Sequence, residues 1–192
     1  MKKSLVILVA LAIAAMTTSF SNVAKAEIAF RTSASPQFGY MTKFNVPAGT
    51  YVRKSNFVLN ADASVELWKG LGVGTDFVYM PGSFSPTAGV SGDLDIMGIT
   101  FGPRYYFPIS TNWELFGYVN AGIYRTEASA TVAGVKASAT ASDWGLNGGV
   151  GVNYIYKVMT VGLKGGTHYI RNAGGDEDIM VWTVGPTIGV KF

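Results

Sequence analysis

The 192-residue sequence predicts an all-β fold, a closed eight-stranded antiparallel up-and-down β-barrel that crosses a membrane with its strands. Three observations carry that expectation. Hydrophobic residues make up 48% of the chain and charged ones only 14%, against roughly 25% charged in an ordinary soluble domain. Glycine is abundant at 24 residues, and there are 4 Trp, 10 Tyr and 11 Phe. Apolar residues recur at every second position along most of the chain, whereas no 3.6-residue helical pattern runs far. The apolar and aromatic content argues against disorder.

The first 26 residues have the form of a signal peptide. Lys2 and Lys3 supply a basic start, Leu5 to Met16 is apolar and uncharged, and Ala24-Lys25-Ala26 gives the small-x-small cleavage pattern. The apolar run is well short of the roughly 20 residues that span a bilayer as a helix. Residues 27–192 are then expected to form one barrel domain. Cleavage after Ala26 removes Lys2, Lys3 and Lys25, so 15 basic residues fall to 12 against 12 acidic ones. The mature chain is formally neutral, and without a basic stripe a nucleic-acid partner is not expected. There is no cysteine, which excludes disulfides, thiolate metal sites and a lipid-modified N-terminal cysteine.

The strands follow from the alternation, clearest at the C-terminus. Phe192, Val190, Ile188, Pro186, Val184, Trp182 and Met180 share one face, opposite Lys191, Gly189, Thr187, Gly185 and Thr183. Segment 142–156 sets Trp144, Leu146, Val150, Val152, Tyr154 and Tyr156 against Asp143, Gly145, Asn147, Gly149, Gly151 and Asn153. Segments 55–67 and 159–170 repeat the split, and further strands fit 71–81, 93–107, 112–126 and, less distinctly, 36–46. Lys69-Gly70, Pro108 to Thr111 and Lys157-Val158 are short turns. The stretches 47–54, 82–92, 127–141 and 172–178 are longer, polar and small-residued, and are expected to be loops; 127–141 in particular is expected to be mobile. Short turns at one end and long loops at the other are the arrangement of transmembrane barrels.

The large apolar face must then point outward. Soluble surfaces carry about a quarter to a third charged residues, whereas the small face here is mostly Gly, Asn, Thr and Ser. Small residues suit the crowded interior of a narrow barrel. Aromatics also fall near both strand ends: Phe192, Tyr154, Tyr156, Tyr105, Phe107 and Trp113 toward the short turns, Trp144, Trp182, Tyr169, Phe57, Phe77 and Tyr79 toward the long loops. Two such belts around an apolar band match a lipid interface. In lipid every backbone amide needs a partner, so the sheet must close.

These features carry a resemblance. The leader, the terminal strand Trp182 to Phe192, and the segment Gly98-Ile-Thr-Phe-Gly-Pro-Arg-Tyr-Tyr-Phe-Pro108 resemble the small bacterial outer-membrane β-barrel superfamily that includes the OmpA transmembrane domain, OmpX and Opa-like surface proteins. The resemblance covers the whole mature chain as a pattern. It implies residence in the bacterial outer membrane, contact with outer-membrane lipid and lipopolysaccharide, and assembly by the barrel assembly machinery, with Phe192 as the assembly signal.

Alternation turns Lys43, Asp62, Glu66, Asp76, Arg104, Glu114, Asp143, Lys164 and His168 into the lumen. Buried charges need partners, so a lumen charge network of Glu66, Arg104, Glu114, Asp62, Asp76 and Lys164 is expected. Counting from the short turns puts Glu66, Arg104 and Glu114 at one height and Asp62, Asp76 and Lys164 at a second. The single histidine excludes most triads. His168-Tyr169-Ile170 resembles the active-site strand of outer-membrane lipid A deacylases, but Ile170 stands where the nucleophilic serine is expected. Asp176-Glu177-Asp178 reads as a solvated loop tip, and Gly70-x-Gly72-x-Gly74 lacks the helix a nucleotide fingerprint needs. No catalytic residue, metal site or cofactor is expected. The expected function is a structural or surface-interaction, adhesin-like role with a host or surface ligand at the loops. The alternatives are a narrow porin or OmpW-like path for small compounds and, third, a lipid A-modifying enzyme.

Overall fold

A computed structural model describes residues 28–43, 51–52, 55–87, 90–132, 135–171 and 178–192. The leader, its cleavage point, residues 44–50 and Asp176-Glu177 lie outside the described residues, as do most of 47–54 and 172–178. The strands are β1 (Ala29–Lys43), β2 (Tyr51–Val52), β3 (Ser55–Trp68), β4 (Leu71–Thr87), β5 (Val90–Pro108), β6 (Trp113–Val132), β7 (Val135–Tyr156), β8 (Met159–Ile170) and β9 (Ile179–Lys191). Eight of them pair antiparallel in the ring β1-β3-β4-β5-β6-β7-β8-β9, and β9 returns to β1. The two-residue β2 pairs with β4 at Ser85 and Phe84. Phe30 and Phe192 exchange backbone hydrogen bonds of 3.0 and 2.9 Å, which ties the first strand to the last residue.

At the lower end the hairpins are tight. Lys69 and Gly70 both have positive φ, at 45° and 87°, the backbone of a two-residue hairpin whose twist matches the flanking strands. Glycine costs nothing there, which is why the turn reads Lys-Gly.

Two sequence expectations change at the strand ends. The first strand starts at Ala29, seven residues before the expected 36. Outward Thr32 and Ala34 are too small to contrast with inward Arg31, Ser33 and Ser35, so alternation does not reveal this half. The stretches 82–92 and 127–141 are largely paired strand rather than loop: Gly82 pairs Leu94, and Glu127 to Thr131 pair Thr140 to Lys136. Ladder bonds use only backbone atoms, so small polar side chains do not prevent them.

The resulting strands are long. β4, β5, β6 and β7 have 17, 19, 20 and 22 residues, where about 9–11 tilted residues cross a bilayer. On this side the barrel therefore continues above the membrane as a four-stranded wall.

Side-chain polarity marks where that happens. In the lower part large apolar residues point outward, with Phe101 61%, Val119 62%, Val150 69% and Leu163 58% exposed. A continuous apolar exterior of this kind belongs against lipid. Higher up the phase inverts. Leu94 and Ile96 are buried while Asp93 is exposed, and Tyr124 is buried while Arg125 and Glu127 are exposed. There the barrel is built like a soluble one, apolar inside and polar outside.

Candidate functional site

The lumen is the place where charged side chains converge, and it has two charged levels below an apolar one. In the middle level six consecutive staves each supply a polar group: Asp62 on β3, Asp76 on β4, Arg104 on β5, Asn120 on β6, Asn147 on β7 and Lys164 on β8. Arg104 donates from Nη1 to Asp62 Oδ1 and from Nη2 to Asp76 Oδ1, both at 2.8 Å. Lys164 Nζ lies 3.2 Å from Asp76 Oδ1 and 3.4 Å from Asp62 Oδ2, and donates to Asn60 Oδ1 at 2.9 Å. Asp76 also accepts from the side chains of Asn120 and Asn147, and Asp62 from the Ser33 hydroxyl. Arg104, Lys164 and Asp76 are buried to within 2% of full enclosure. Two cations face two carboxylates, and the remaining carboxylate lone pairs take neutral donors, which is what makes burial of the charges tolerable. Tyr118 closes the level from below, with Lys164 Nζ 4.5 Å and the Arg104 guanidinium 5.3 Å from its ring centre.

Arg104 needs room to reach across. A β-carbon on Gly74 would sit 2.4 Å from Arg104 Nε, so the third glycine of Gly70-x-Gly72-x-Gly74 is the space the guanidinium passes over.

The lowest level centres on Arg31. It donates to Glu66 Oε2 at 2.7 Å and to Glu114 Oε1, and its guanidinium lies 3.7 Å from the Tyr106 ring centre. Lys191 Nζ is 3.7 Å from the other Glu114 oxygen, and Asn153 donates to Glu114 at 3.2 Å. Between the two charged levels lies a cavity of about 20 Å³, lined by Arg31, Ser33, Asp62, Arg104, Tyr106 and Asn153 among others. That volume is about the size of one water, and the Nε atoms of Arg31 and Arg104 have no hydrogen-bond partner.

Sequence reasoning grouped Glu66, Arg104 and Glu114 at one height. The structure instead places Arg104 with Asp62, Asp76 and Lys164, and gives Glu66 and Glu114 to Arg31. The register keeps Glu66 and Arg104 on one row, both opposite Gly72; the shift comes from the long side chain of Arg104, which climbs over Gly74. Arg31 went unseen because it lies in the half-strand without apolar contrast. Its signal was available in the charge count, since the expected network set two cations, Arg104 and Lys164, against four carboxylates.

Above the charges the lumen is apolar. Met41, Val58, Val78, Met80, Leu94, Ile96, Tyr124, Ile170, Ile179 and Val181 form one buried cluster. This corrects the reading of the inner face as mostly polar throughout. Tyr124 lies against Gly98 and Gly145 on the two neighbouring strands, where added β-carbons would come within 2.5 and 2.8 Å of its ring. Its hydroxyl is 3.0 Å from His168 Nδ1, so the single histidine is a partner of this tyrosine inside the upper cluster. Ile170 is likewise buried there. The side chain of Asp143 is half-buried, with one carboxylate oxygen unpartnered; that of Lys43 lies outside those described. Among the described residues no group of three or more His, Asp or Glu is placed to hold a metal ion.

A closed barrel with a lipid-facing exterior and a lumen filled by charge pairs and apolar side chains has the architecture of the small eight-stranded transmembrane β-barrels. Among solved structures the chain is similar to Ail, the attachment invasion locus protein of Yersinia pestis, solved in complex with the heparin analogue sucrose octasulfate. The TM-score is 0.58 at 17% identity, over 86% of this chain and 99% of that one. It is also similar to a major outer membrane protein of Thermus thermophilus (TM-score 0.53, 12% identity, 86% and 98% covered). Neisserial surface protein A gives 0.52 at 13% identity, with 86% and 97% covered. At these identities the likeness is one of fold. No protein-family model and no curated protein matches the sequence.

Proposed function

We propose that this chain is a sealed integral outer-membrane barrel whose work is done on its outer face, as a structural or adhesin-like surface protein. The observation that carries the reading is the wall of β4–β7, which continues past the lipid band as paired strand with a polar exterior. A barrel that only had to cross the bilayer would not need strands of that length. The lumen supports the same reading, because its charged levels and its apolar level obstruct the axis in succession.

In this reading the exterior contacts outer-membrane lipid and lipopolysaccharide, and Phe192, exposed beside β1, is the signal the barrel assembly machinery reads. The ligand of Ail is not transferred. A polyanion needs a basic surface, whereas the described part of this wall exposes Asp93 and Glu127 beside Arg125. A protein or glycan partner of mixed polarity fits better.

The test replaces residues 126–141 by a two-residue turn joining the paired Arg125 and Ser142, which shortens the β6–β7 hairpin. Cells carrying either form at equal surface density are compared for adherence to immobilised host-matrix proteins and to epithelial cells. Adherence lost with the hairpin supports the reading. Equal adherence by both forms and by a deletion strain contradicts it. The transport alternative predicts solute passage and is addressed by conductance below.

A further inference from the structure

Among the described pairings, the seam where the ring closes has the longest interruption. β1 pairs with β9 at Ala34–Ile188 and again at Phe38–Val184, but no pair forms at the three positions between. The register puts Pro36 opposite Pro186 at the centre of that gap. Phe30 and Phe192 exchange both of their bonds, and bonded pairs recur at every second position of an antiparallel ladder. Position 36/186 is therefore one where both N–H groups should point across the seam. Proline has none, so two ladder bonds are missing there. The gap lies in the lipid band, with Leu59 beside Pro36 and Leu163 beside Pro186. In hydrocarbon such groups must find partners elsewhere. The Ser35 hydroxyl supplies one, donating to the Pro186 carbonyl at 2.6 Å.

Behind the gap lies a second anomaly. Gln37 is 2% exposed, yet neither its amide nitrogen nor its amide oxygen has a hydrogen-bond partner. A β-carbon on Gly185 would sit 3.1 Å from Gln37 Cγ, so the glutamine lies across the inner face of β9, directly behind the two prolines. Asn60, paired with Ser35 by register, also keeps an unpartnered amide nitrogen while its oxygen binds Lys164. Unpaired buried amides are costly to leave without partners.

We propose that the β1–β9 seam at Pro36 and Pro186 is a lateral notch that takes the polar end of an amphiphile dissolved in the bilayer. The Gln37 amide receives it, and the tail stays in lipid. The recognised chemistry is a neutral group that both gives and takes hydrogen bonds, as in a long-chain alcohol. Gln37 offers a donor and an acceptor and Asn60 a second donor. The nearby cation Lys164 is already neutralised by Asp62 and Asp76. The inference rests on the seam and is independent of the role assigned to the outer wall.

Gln37 is the only glutamine in the sequence, so side-chain ¹⁵N-glutamine labelling reports on this site with one signal. The experiment titrates 1-decanol, and in parallel decane, into the labelled protein in phosphatidylcholine nanodiscs. The expected result is a saturable shift of the Gln37 amide with decanol, a contact between it and the decanol hydroxymethyl protons, and no shift with decane. In the P36T/P186V variant, which restores both N–H donors, the decanol response is lost while the heat-modifiable folded band persists. No response in the unmodified protein, as expected if internal water alone satisfies Gln37, overturns the proposal. So does an equal response to decane, or a response that survives repair of the ladder.

Discussion

The lower and upper halves of this lumen solve the same problem with opposite chemistry. Below, where the exterior faces lipid, the interior is held by Arg31, Arg104 and Lys164 against Glu66, Glu114, Asp62 and Asp76. Above, where the exterior passes from aromatic residues such as Tyr40, Phe57 and Trp182 to the polar wall of β5 and β6, the interior is Met41, Met80, Ile96, Ile179 and their neighbours. The difference follows from the solvent outside. A strand buried in hydrocarbon gains nothing specific from an apolar inner face, since both faces would then be alike and neither register nor orientation would be set. Polar pairs inside give the membrane part a unique inside and outside. Above the bilayer, water resumes that function, and burying apolar side chains is favourable again.

Substitutions can break this comparison at either level. The largest effect is expected from Arg104→Ala, which leaves Asp62 and Asp76 with Lys164 as their one cation. Loss of about 3–5 kcal/mol is expected, read as a lower urea midpoint for unfolding from lipid vesicles. Replacing Asp62 alone by Asn in the same background should recover part of it, because Asp76 and Lys164 then balance. An unchanged midpoint for Arg104→Ala would show that the middle level is not what holds the lower barrel.

In the upper cluster, Met80→Ala or Ile96→Ala is expected to cost about 2–5 kcal/mol, as in a soluble core where a cavity is left behind. A loss below about 0.5 kcal/mol would mean that this level is not a packed core at all. The smallest effects locate the change of solvent. Val150→Lys in the lipid band is expected to cost about 2–4 kcal/mol, whereas Thr140→Lys on the same outward face of the same strand should stay within about 0.5 kcal/mol. Equal costs at the two positions would remove the polarity inversion as a marker of the membrane surface.

How much of this is legible in the sequence varies along the strands for the same reason. Within the lipid band, large outward residues against small inward ones make β7 from Trp144 to Tyr156, and β9, plain to read. Where the outward residues are small, as at Thr32 and Ala34, the strand is invisible and Arg31 is lost with it. Above the band the outward residues turn small and polar, so 82–92 and 127–141 read as loops when they are largely paired strand. The charges Arg104, Lys164, Asp62 and Asp76 could be assigned to the lumen by parity alone. Their pairing could not, because it depends on stagger and on the passage of Arg104 over Gly74. The unpaired seam at Pro36 and Pro186 was out of reach until the register of β1 on β9 was known.

The sealed barrel requires a lumen closed at successive heights by different chemistry. Single-channel recording of the refolded mature chain in a planar bilayer tests that most directly, with folding confirmed by its heat-modifiable migration. A folded protein that gives no discrete conductance steps is the expected result. Reproducible steps from the unmodified chain would mean a continuous aqueous path past Arg104 and Tyr124, and would contradict the sealed barrel.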